Sequence, residues 1–122
     1  MATIQGPDFI ALQVRDLAAT AQFYEHILGL RRAPQSPPDA VVFATTPIPF
    51  ALRTPLPGVD LERGQLGLGV ALWLKTDDSA ALLAQLTAHE VPIIQPLTAG
   101  PFGQTFTFRD PDGYAITVHD RG

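Results

Sequence analysis

His119 is the side chain best suited to chemistry in this sequence, which has three histidines and no cysteine. The absence of cysteine excludes disulfides, thiolate metal sites and cysteine nucleophiles. Alternate residues of a strand share one face, so in "YAITVHD" His119 points to the same side as Thr117 and Ala115. An imidazole in a pocket could contact a ligand or act as a general base. Because no second histidine or carboxylate can be placed beside it, a solvated histidine at the rim of a strand is the favoured alternative.

The other polar residues do not form a recognisable catalytic set. His26 falls on the outer face of the first predicted helix, and His89 lies in the last turn of the second, where a cation suits the helix dipole. The carboxylates form no pair at helical or strand spacing that is typical of acid/base catalysis. No glycine-rich segment is followed by the lysine and helix start of a phosphate loop.

Composition and charge restrict the class of protein. Of the 122 residues, 46 % are hydrophobic, which is typical of a folded domain. The net charge of −4 argues against nucleic acid as a partner, because nucleic acid requires a clustered basic surface. No apolar run approaches the roughly 18 residues of a membrane span, and the N-terminal residues lack the pattern of a signal peptide. We therefore expect a soluble, cytoplasmic protein with no membrane partner.

The first half of the chain predicts one strand, one helix and three further strands. In "FIALQV", Ile10, Leu12 and Val14 share one apolar face. Asp16 occupies an N-cap position before a segment of helical spacing, and Gly29 follows as a stop. The three strands are predicted at "LRRAP", "AVVFATT" and "PFALRT", separated by proline-rich segments.

The same order of elements returns in the second half. A strand at "LGVALWL", a helix at "TDDSAALLAQLTAHE" and three strands at "PIIQP", "QTFTFR" and "YAITVHD" complete it. The "DPDG" segment before the last strand suits a type I turn, so a structural role is predicted for its aspartates. The sequence thus predicts a single α+β domain of two βαβββ modules, at about residues 7–53 and 68–120, joined by a linker at about residues 54–67.

Two stretches of the sequence resemble one protein family. "VRDLAATAQFYEHILGL" resembles the V-x-D-L-x-x-(S/T)-x-x-F-Y-x-x-x-L-G-L opening of the vicinal oxygen chelate superfamily, also called the glyoxalase/bleomycin resistance protein/dioxygenase family. "FRDPDGYAITVHD" is similar to its D-P-D-G closing hairpin, and "GPFGQTFTF" to the strand before that hairpin. The resemblance runs from about Phe9 to His119, nearly the whole chain.

The resemblance implies a fold and a choice of functions. Each βαβββ module would form a curved half-barrel sheet with its helix on the convex side, and two modules would enclose a cleft. Small members often pair the modules across a homodimer, so a homodimer is expected here. Some members are enzymes that hold a divalent metal in the cleft, and others bind antibiotics there without metal.

The resemblance also implies where the metal ligands of the enzymes would stand. The position of the first histidine ligand is Phe9 in this sequence, and the position of the glutamate in the last strand is Thr117. The matching position in the second module is Ala71 or Gly69, depending on the register. None of these residues is a good ligand for a divalent ion. We therefore expect no metal cofactor, with a divalent metal as the less favoured alternative.

Strand parity gives a list of residues that would face the cleft. Both registers of the second module point Trp73 and Lys75 inward. The predicted ligand-binding residues are Phe9, Ala11, Gln13, Arg53, Trp73, Phe102, Thr117 and His119, with Arg53 turned outward if "PFALRT" slips by one residue.

These residues suit a flat, partly apolar ligand. The leading hypothesis is a metal-free small-molecule binding protein that confers resistance by sequestering an aromatic or antibiotic-like compound. The alternative is a divergent lyase, isomerase or dioxygenase that uses a displaced metal site or His119 as a base. A third hypothesis is a dimeric interaction module whose cavity is filled by side chains.

Overall fold

The computed structural model describes residues 1–121. It has the predicted α+β class, with one small mixed sheet of three strands and one of four. The chain divides into two compact units, Met1–Glu62 and a second that begins at Arg63. Every helix within residues 1–121 is too short or too polar to span a lipid bilayer.

The first unit contains a three-stranded sheet and one helical segment. The elements are β1 (Ile10–Gln13), α1 (Leu17–Gln22) continued by a π-helical turn (Phe23–Ile27), β2 (Ala40–Phe43) and β3 (Phe50–Arg53). The strand order in the sheet is β1-β3-β2, with β1 parallel and β2 antiparallel to β3. The helix α1 begins where it was predicted, because the Asp16 side chain accepts a hydrogen bond from Ala19 N at 3.1 Å.

An aromatic core holds the helix on this sheet. Tyr24 is fully buried, and its ring centroid lies 5.3 Å from that of Phe50 and 6.3 Å from that of Phe43. Val14 is also fully buried, as expected for the strand face that the helix covers. The opposite face of β1, with Ala11, is exposed. The sheet therefore presents one covered and one accessible side.

The strand predicted at "LRRAP" is much shorter than expected. It is reduced to one bridge between Arg32 and Phe43, flanked by hydrogen bonds from Ala33 N to Val42 O and from Ala44 N to Arg31 O, both 2.8 Å. Pro34 follows at once and has no N–H to extend the ladder. The first unit thus has a βαββ order with a bridged segment in place of one strand.

The second unit has the complete βαβββ order. The elements are β4 (Leu72–Lys75), α2 (Ser79–Ala88), β5 (Ile93–Gly100), β6 (Gly103–Arg109) and β7 (Ala115–His119). The strand order in the sheet is β4-β7-β6-β5, with β4 parallel to β7 and the other neighbours antiparallel. Asp78 caps α2 by accepting a hydrogen bond from Ala81 N at 3.0 Å.

β4 starts later than the pattern predicted. The apolar run "LGVALWL" indicates a strand from residue 68, but Gly67 and Gly69 have φ angles of +74° and +86°. Two residues in that left-handed region, one residue apart, interrupt the extended conformation of a strand. The extended conformation therefore begins only at Leu72.

One face of the second sheet is the core of its unit. Phe106, Phe108, Ile116 and Val118 are buried on it, and Leu86 of α2 is fully buried as well. The residues that alternate with them in β6 and β7 are only half-buried or exposed. This sheet also has an accessible side.

The turn before β7 has the predicted structural role. Asp110 Oδ1 accepts hydrogen bonds from the backbone N–H groups of Asp112, Gly113 and Tyr114, each at 2.9 Å. Gly113 has a φ of +100°, which a residue with a side chain rarely adopts. The turn therefore fixes the start of β7 and the register of its side chains.

Candidate ligand-binding site

Three rings meet on the accessible side of the second sheet. The ring centroid of Trp73 lies 5.7 Å from that of Phe102 and 5.8 Å from that of His119, and the latter two centroids are 6.2 Å apart. All three pairs have edge-to-face geometry, the favourable arrangement for aromatic rings. We call these three residues the ring cluster.

Three different elements position the ring cluster. Trp73 is on β4 and His119 on β7, while Phe102 occupies the turn between β5 and β6. Trp73 is 47 % exposed and Phe102 is 51 % exposed. Within the second unit, the cluster is therefore an accessible apolar surface rather than part of the core.

A pair of hydroxyl groups borders the ring cluster. Thr117 stands opposite Trp73 on the parallel neighbour and opposite Thr107 on the antiparallel neighbour. The Oγ1 atoms of Thr117 and Thr107 are 2.8 Å apart and form a hydrogen bond. Each hydroxyl keeps further hydrogen-bonding capacity, so the pair could bind a polar group of a ligand.

The backbone determines the tautomer of His119. Its Nδ1 lies 2.8 Å from the carbonyl oxygen of Arg121. Because a carbonyl oxygen can only accept, Nδ1 must carry a hydrogen. In the neutral ring Nε2 then holds the lone pair, and it can accept a hydrogen bond or a proton.

Asp120 stabilises the end of β7 beside His119. Its Oδ1 accepts a hydrogen bond from Gln104 N at 2.8 Å, and its Oδ2 accepts one from Ser79 N at 3.3 Å. The Gln104 N–H is the main reason that the pKa of Asp120 lies below its usual range, and burial opposes this effect in part. Sequence reasoning missed this role, although an aspartate directly after a predicted last strand is a signal for a local backbone contact.

The first unit has a separate hollow of about 250 Å³ on the accessible side of its sheet. Three predicted ligand-binding residues line it, namely Phe9, Ala11 and Arg53. They come together because Ala11 stands opposite Ala51, which also lines the hollow, and Arg53 lies two residues further along β3. The remaining lining residues are Pro37, Pro38, Asp39, Ala40 and Val42.

The register turns Arg53 toward this hollow, the direction that the sequence left open. Its Nε donates a hydrogen bond to the Thr54 carbonyl oxygen at 2.9 Å, which orients the guanidinium. Asp39 lines the same hollow. The prolines and Asp39 come from a loop between predicted strands, and no sequence signal indicated that this loop would border the site.

Gln13, which is also predicted to bind ligand, makes a contact within the first unit that the sequence did not indicate. It does not line the hollow, and its Oε1 accepts a hydrogen bond from Leu56 N at 2.8 Å. This contact ties the segment after β3 to the end of β1. Within the first unit, the side chain of Gln13 therefore forms a hydrogen bond with a backbone N–H group.

The residues present do not fit a divalent metal. Within residues 1–121, no group of three or more His, Asp or Glu side chains is placed to hold an ion. Phe9 and Ala71 have no donor atom in their side chains, and Gly69 has no side chain. The hydroxyl of Thr117 is hydrogen-bonded to the hydroxyl of Thr107. A neutral hydroxyl is also a poorer metal ligand than a carboxylate.

Solved structures of known proteins share this fold. TnmS3, an antibiotic binding protein from Streptomyces sp. CB03234, is 23 % identical, with a TM-score of 0.76 over 100 % of both chains. Lactoylglutathione lyase from Agrobacterium tumefaciens is 22 % identical, with a TM-score of 0.67 over 97 % of this chain and 95 % of that one. A mutant of the fosfomycin resistance protein FosX from Listeria monocytogenes, complexed with Mn(II), is 18 % identical, with a TM-score of 0.72 over 98 % and 93 %.

A family model agrees with these likenesses. No curated protein sequence matches the chain significantly. The model of the Glyoxalase/Bleomycin resistance protein/Dioxygenase superfamily, however, matches residues 6–118. The two sequence motifs, the βαβββ order of the second unit and this match all point the same way, and the chain belongs to the glyoxalase/bleomycin resistance protein/dioxygenase superfamily.

Proposed function

We propose that this protein binds a flat aromatic or antibiotic-like small molecule without metal and confers resistance by sequestering it, as a cytoplasmic homodimer. The observation that carries the proposal is the ring cluster of Trp73, Phe102 and His119 on the accessible side of the second sheet. Aromatic side chains of this size are normally buried, because exposing them to water is costly. A ligand that covers them would remove this cost.

The ring cluster suits a planar ligand for energetic reasons. Burying apolar surface stabilises a complex by roughly 25 cal/mol per Å². Aromatic pairs add about 0.5–1.5 kcal/mol beyond the buried area. Trp73 and Phe102 have about half of their surfaces left to bury, so both terms remain available to a ligand.

Polar groups beside the rings would orient the ligand. The hydroxyls of Thr117 and Thr107 and Nε2 of His119 lie around an otherwise apolar surface. A few polar groups in an apolar site are typical of small-molecule binding. TnmS3, which has the same fold, is described as an antibiotic binding protein, so this fold is compatible with antibiotic binding.

Titration with aromatic antibiotics tests the proposal. Trp73 is the only tryptophan of the chain, so its fluorescence reports on the ring cluster alone. We expect saturable quenching by at least one member of a panel that includes bleomycin, mitomycin and anthracycline compounds. Calorimetry with the same compound should show a loss of affinity of about tenfold in Trp73→Leu and in Phe102→Leu, in line with the loss of one aromatic contact.

A matched control tests whether the loss of affinity is specific to the ring cluster or follows from the loss of any exposed apolar side chain. Ile4→Ala removes an exposed apolar side chain of the other unit and should leave the affinity unchanged. Quenching that never saturates with any compound would contradict sequestration and would favour the interaction module.

An enzymatic function is the second candidate, and the geometry of His119 favours it specifically. The Arg121 carbonyl holds the hydrogen on Nδ1, so Nε2 is available as a base next to Trp73 and Phe102. Such an enzyme would be a divergent lyase, isomerase or dioxygenase. Turnover that His119→Gln abolishes, in protein whose metal content and response to added divalent ions are measured in parallel, would establish it.

A further inference from the structure

The accessible side of the second sheet carries cationic side chains but no acidic ones. Its side chains come from β4, β7 and β6, and residues opposite each other in the register share this side. Lys75 and Arg109 are cationic and none is acidic, although the chain has a net charge of −4. We call this surface the open face; its members are Trp73, Lys75, Ala115, Thr117, His119, Thr105, Thr107 and Arg109.

The acidic residues next to the open face in sequence are occupied elsewhere. Asp78 accepts the N-terminal hydrogen bond of α2, and Asp120 accepts from Gln104 N and Ser79 N. Asp77 lies near the Thr76 hydroxyl, with Oδ1 at 3.5 Å from Oγ1. The facing positions of β5, Gln95 and Thr98, are uncharged. Within residues 1–121, neither Lys75 nor Arg109 forms an ion pair with a carboxylate.

Lys75 is the cation that is available to a ligand. It stands opposite His119 and two residues from Trp73 on the same face of β4. It is exposed and forms no ion pair with another of residues 1–121. Arg109, by contrast, donates through Nη1 to the Gly113 carbonyl oxygen at 2.9 Å and so supports the turn before β7.

We propose that the ligand of the open face is a flat aromatic anion, such as an aryl carboxylate, an aryl sulfonate or a phenolate. Its ring stacks on Trp73, and its charged group is paired with the Lys75 ammonium and hydrogen-bonded by the Thr117–Thr107 hydroxyls. This inference rests on the proposed function and names the class of compound that the protein binds. Lys75 is then the residue that determines specificity, because a neutral isostere would leave the ammonium unpaired.

A matched pair of probes tests this proposal. Naphthoate and naphthamide have the same ring and nearly the same shape, but only naphthoate is charged at neutral pH. We expect calorimetry to give an affinity about tenfold higher for naphthoate, equivalent to about 1.4 kcal/mol. Raising the salt concentration from about 20 to about 500 mM should weaken naphthoate binding and leave naphthamide binding unchanged.

Substitutions of Lys75 test whether this residue causes the preference for the anionic probe. Lys75→Met should bind both probes with the affinity that the wild type has for naphthamide, and Lys75→Arg should keep the preference for the anion. Arg63→Met removes an exposed cation of the same unit outside the open face and should behave as the wild type.

The outcomes separate this inference from the proposed function. If both probes bind saturably with equal affinity, or if Lys75→Met keeps the preference, the anion inference is wrong while small-molecule binding stands. Lys75 would then serve only to keep the edge strand β4 soluble. If neither these probes nor the antibiotics bind, the proposed function fails and the inference fails with it.

Discussion

The geometry of single residues around His119 is the most specific feature of the site. The imidazole is held by the Arg121 carbonyl, Asp120 is held by two backbone N–H groups, and the rings of Trp73 and Phe102 contact the same histidine. The distances between these groups depend on how closely the backbone can approach Asp120. Gly103 provides that approach, since a Cβ there would overlap Oδ1 of Asp120 and come within 2.9 Å of Arg121 Cβ.

Gly103→Ala should therefore destabilise the protein by more than about 1 kcal/mol, because its φ of +82° and the overlap with Asp120 both oppose a side chain. Urea unfolding measures the change. Gly100→Ala is the matched control: no atom lies within 4 Å of its added Cβ and its φ is not in the left-handed region. Its free energy of unfolding should stay within about 0.5 kcal/mol of the wild type. Equal effects of the two substitutions would show that the close approach is unimportant.

Asp120→Asn should lower stability at neutral pH, because an amide accepts more weakly from Gln104 N and its NH₂ group cannot accept from Ser79 N. The folded-state pKa of Asp120 is lower than the unfolded-state value, so the carboxylate stabilises the fold above the unfolded pKa. This contribution is lost as the pH falls through the folded-state pKa, in the region below about pH 4.

The difference between Asp120→Asn and the wild type should accordingly shrink as urea unfolding is repeated from pH 7 toward pH 3. Asp8→Asn, at an exposed position in the other unit, should give no such pattern. A difference that is independent of pH would mean that the amide disrupts packing rather than the charge of the carboxylate.

At the scale of elements, local signals predicted where the helices start, but hydrophobicity alone misplaced the start of β4. Asp16 and Asp78 identify the helix starts because capping depends on a side chain and the N–H three residues later. The apolar run before Leu72 resembles a strand, yet the positive φ angles of Gly67 and Gly69 interrupt it. The order of the elements followed from the succession of apolar patterns and helix caps along the chain, and the family motifs agreed with it.

The direction of Arg53 and the contact of Gln13 with Leu56 could not be predicted for a related reason. Each depends on a partner that is remote in sequence: the register with β1 for Arg53, and the backbone of Leu56 for Gln13. The grouping of Trp73, Phe102 and His119 likewise depends on the parallel pairing of β4 with β7. The alternation of residues along one strand shows on which face of the sheet a side chain lies. It does not show which side chains of other strands lie beside it.

The end of α2 offers a prediction at this scale. Glu90 has a φ of +60° just after the helix, where Val91 N donates to Leu86 O at 3.0 Å. Glycine is the preferred residue at this position, because a Cβ is strained there. Glu90→Gly should raise the free energy of unfolding by about 0.5–1 kcal/mol. Glu90→Ala removes the charge but keeps the Cβ, so it should be no more stable than the wild type in thermal unfolding. Equal stability of the two variants would contradict the strain.

At the scale of the whole molecule, the exposed apolar side chains support the expected homodimer. Leu68 and Val70 are 76 % and 78 % exposed in the segment before β4. Clustered apolar exposure of this kind often indicates an association surface in a soluble protein. The family also pairs its modules between chains in many small members, which is the basis of the expectation.

We therefore predict that the wild type sediments with twice the mass of the chain at micromolar concentration. The double substitution Leu68→Glu and Val70→Glu should shift it toward the monomer, because two carboxylates would repel their copies in a two-fold interface. Ile4→Glu, which adds the same type of charge at an exposed N-terminal position, should have no effect. Analytical ultracentrifugation measures all three, and a monomeric wild type would contradict the prediction.

The contacts of Asp120 have a practical consequence for anyone who trims or tags this chain. Through one carboxylate, the residue after β7 holds the first N–H group of α2 and the start of β6, so three elements that are distant in sequence depend on it. Loss of residues 120–122 to an exopeptidase would also remove the carbonyl that orients His119. A preparation shortened by these three residues would keep the residues of every strand of the second sheet and yet lack the contact that orients the imidazole.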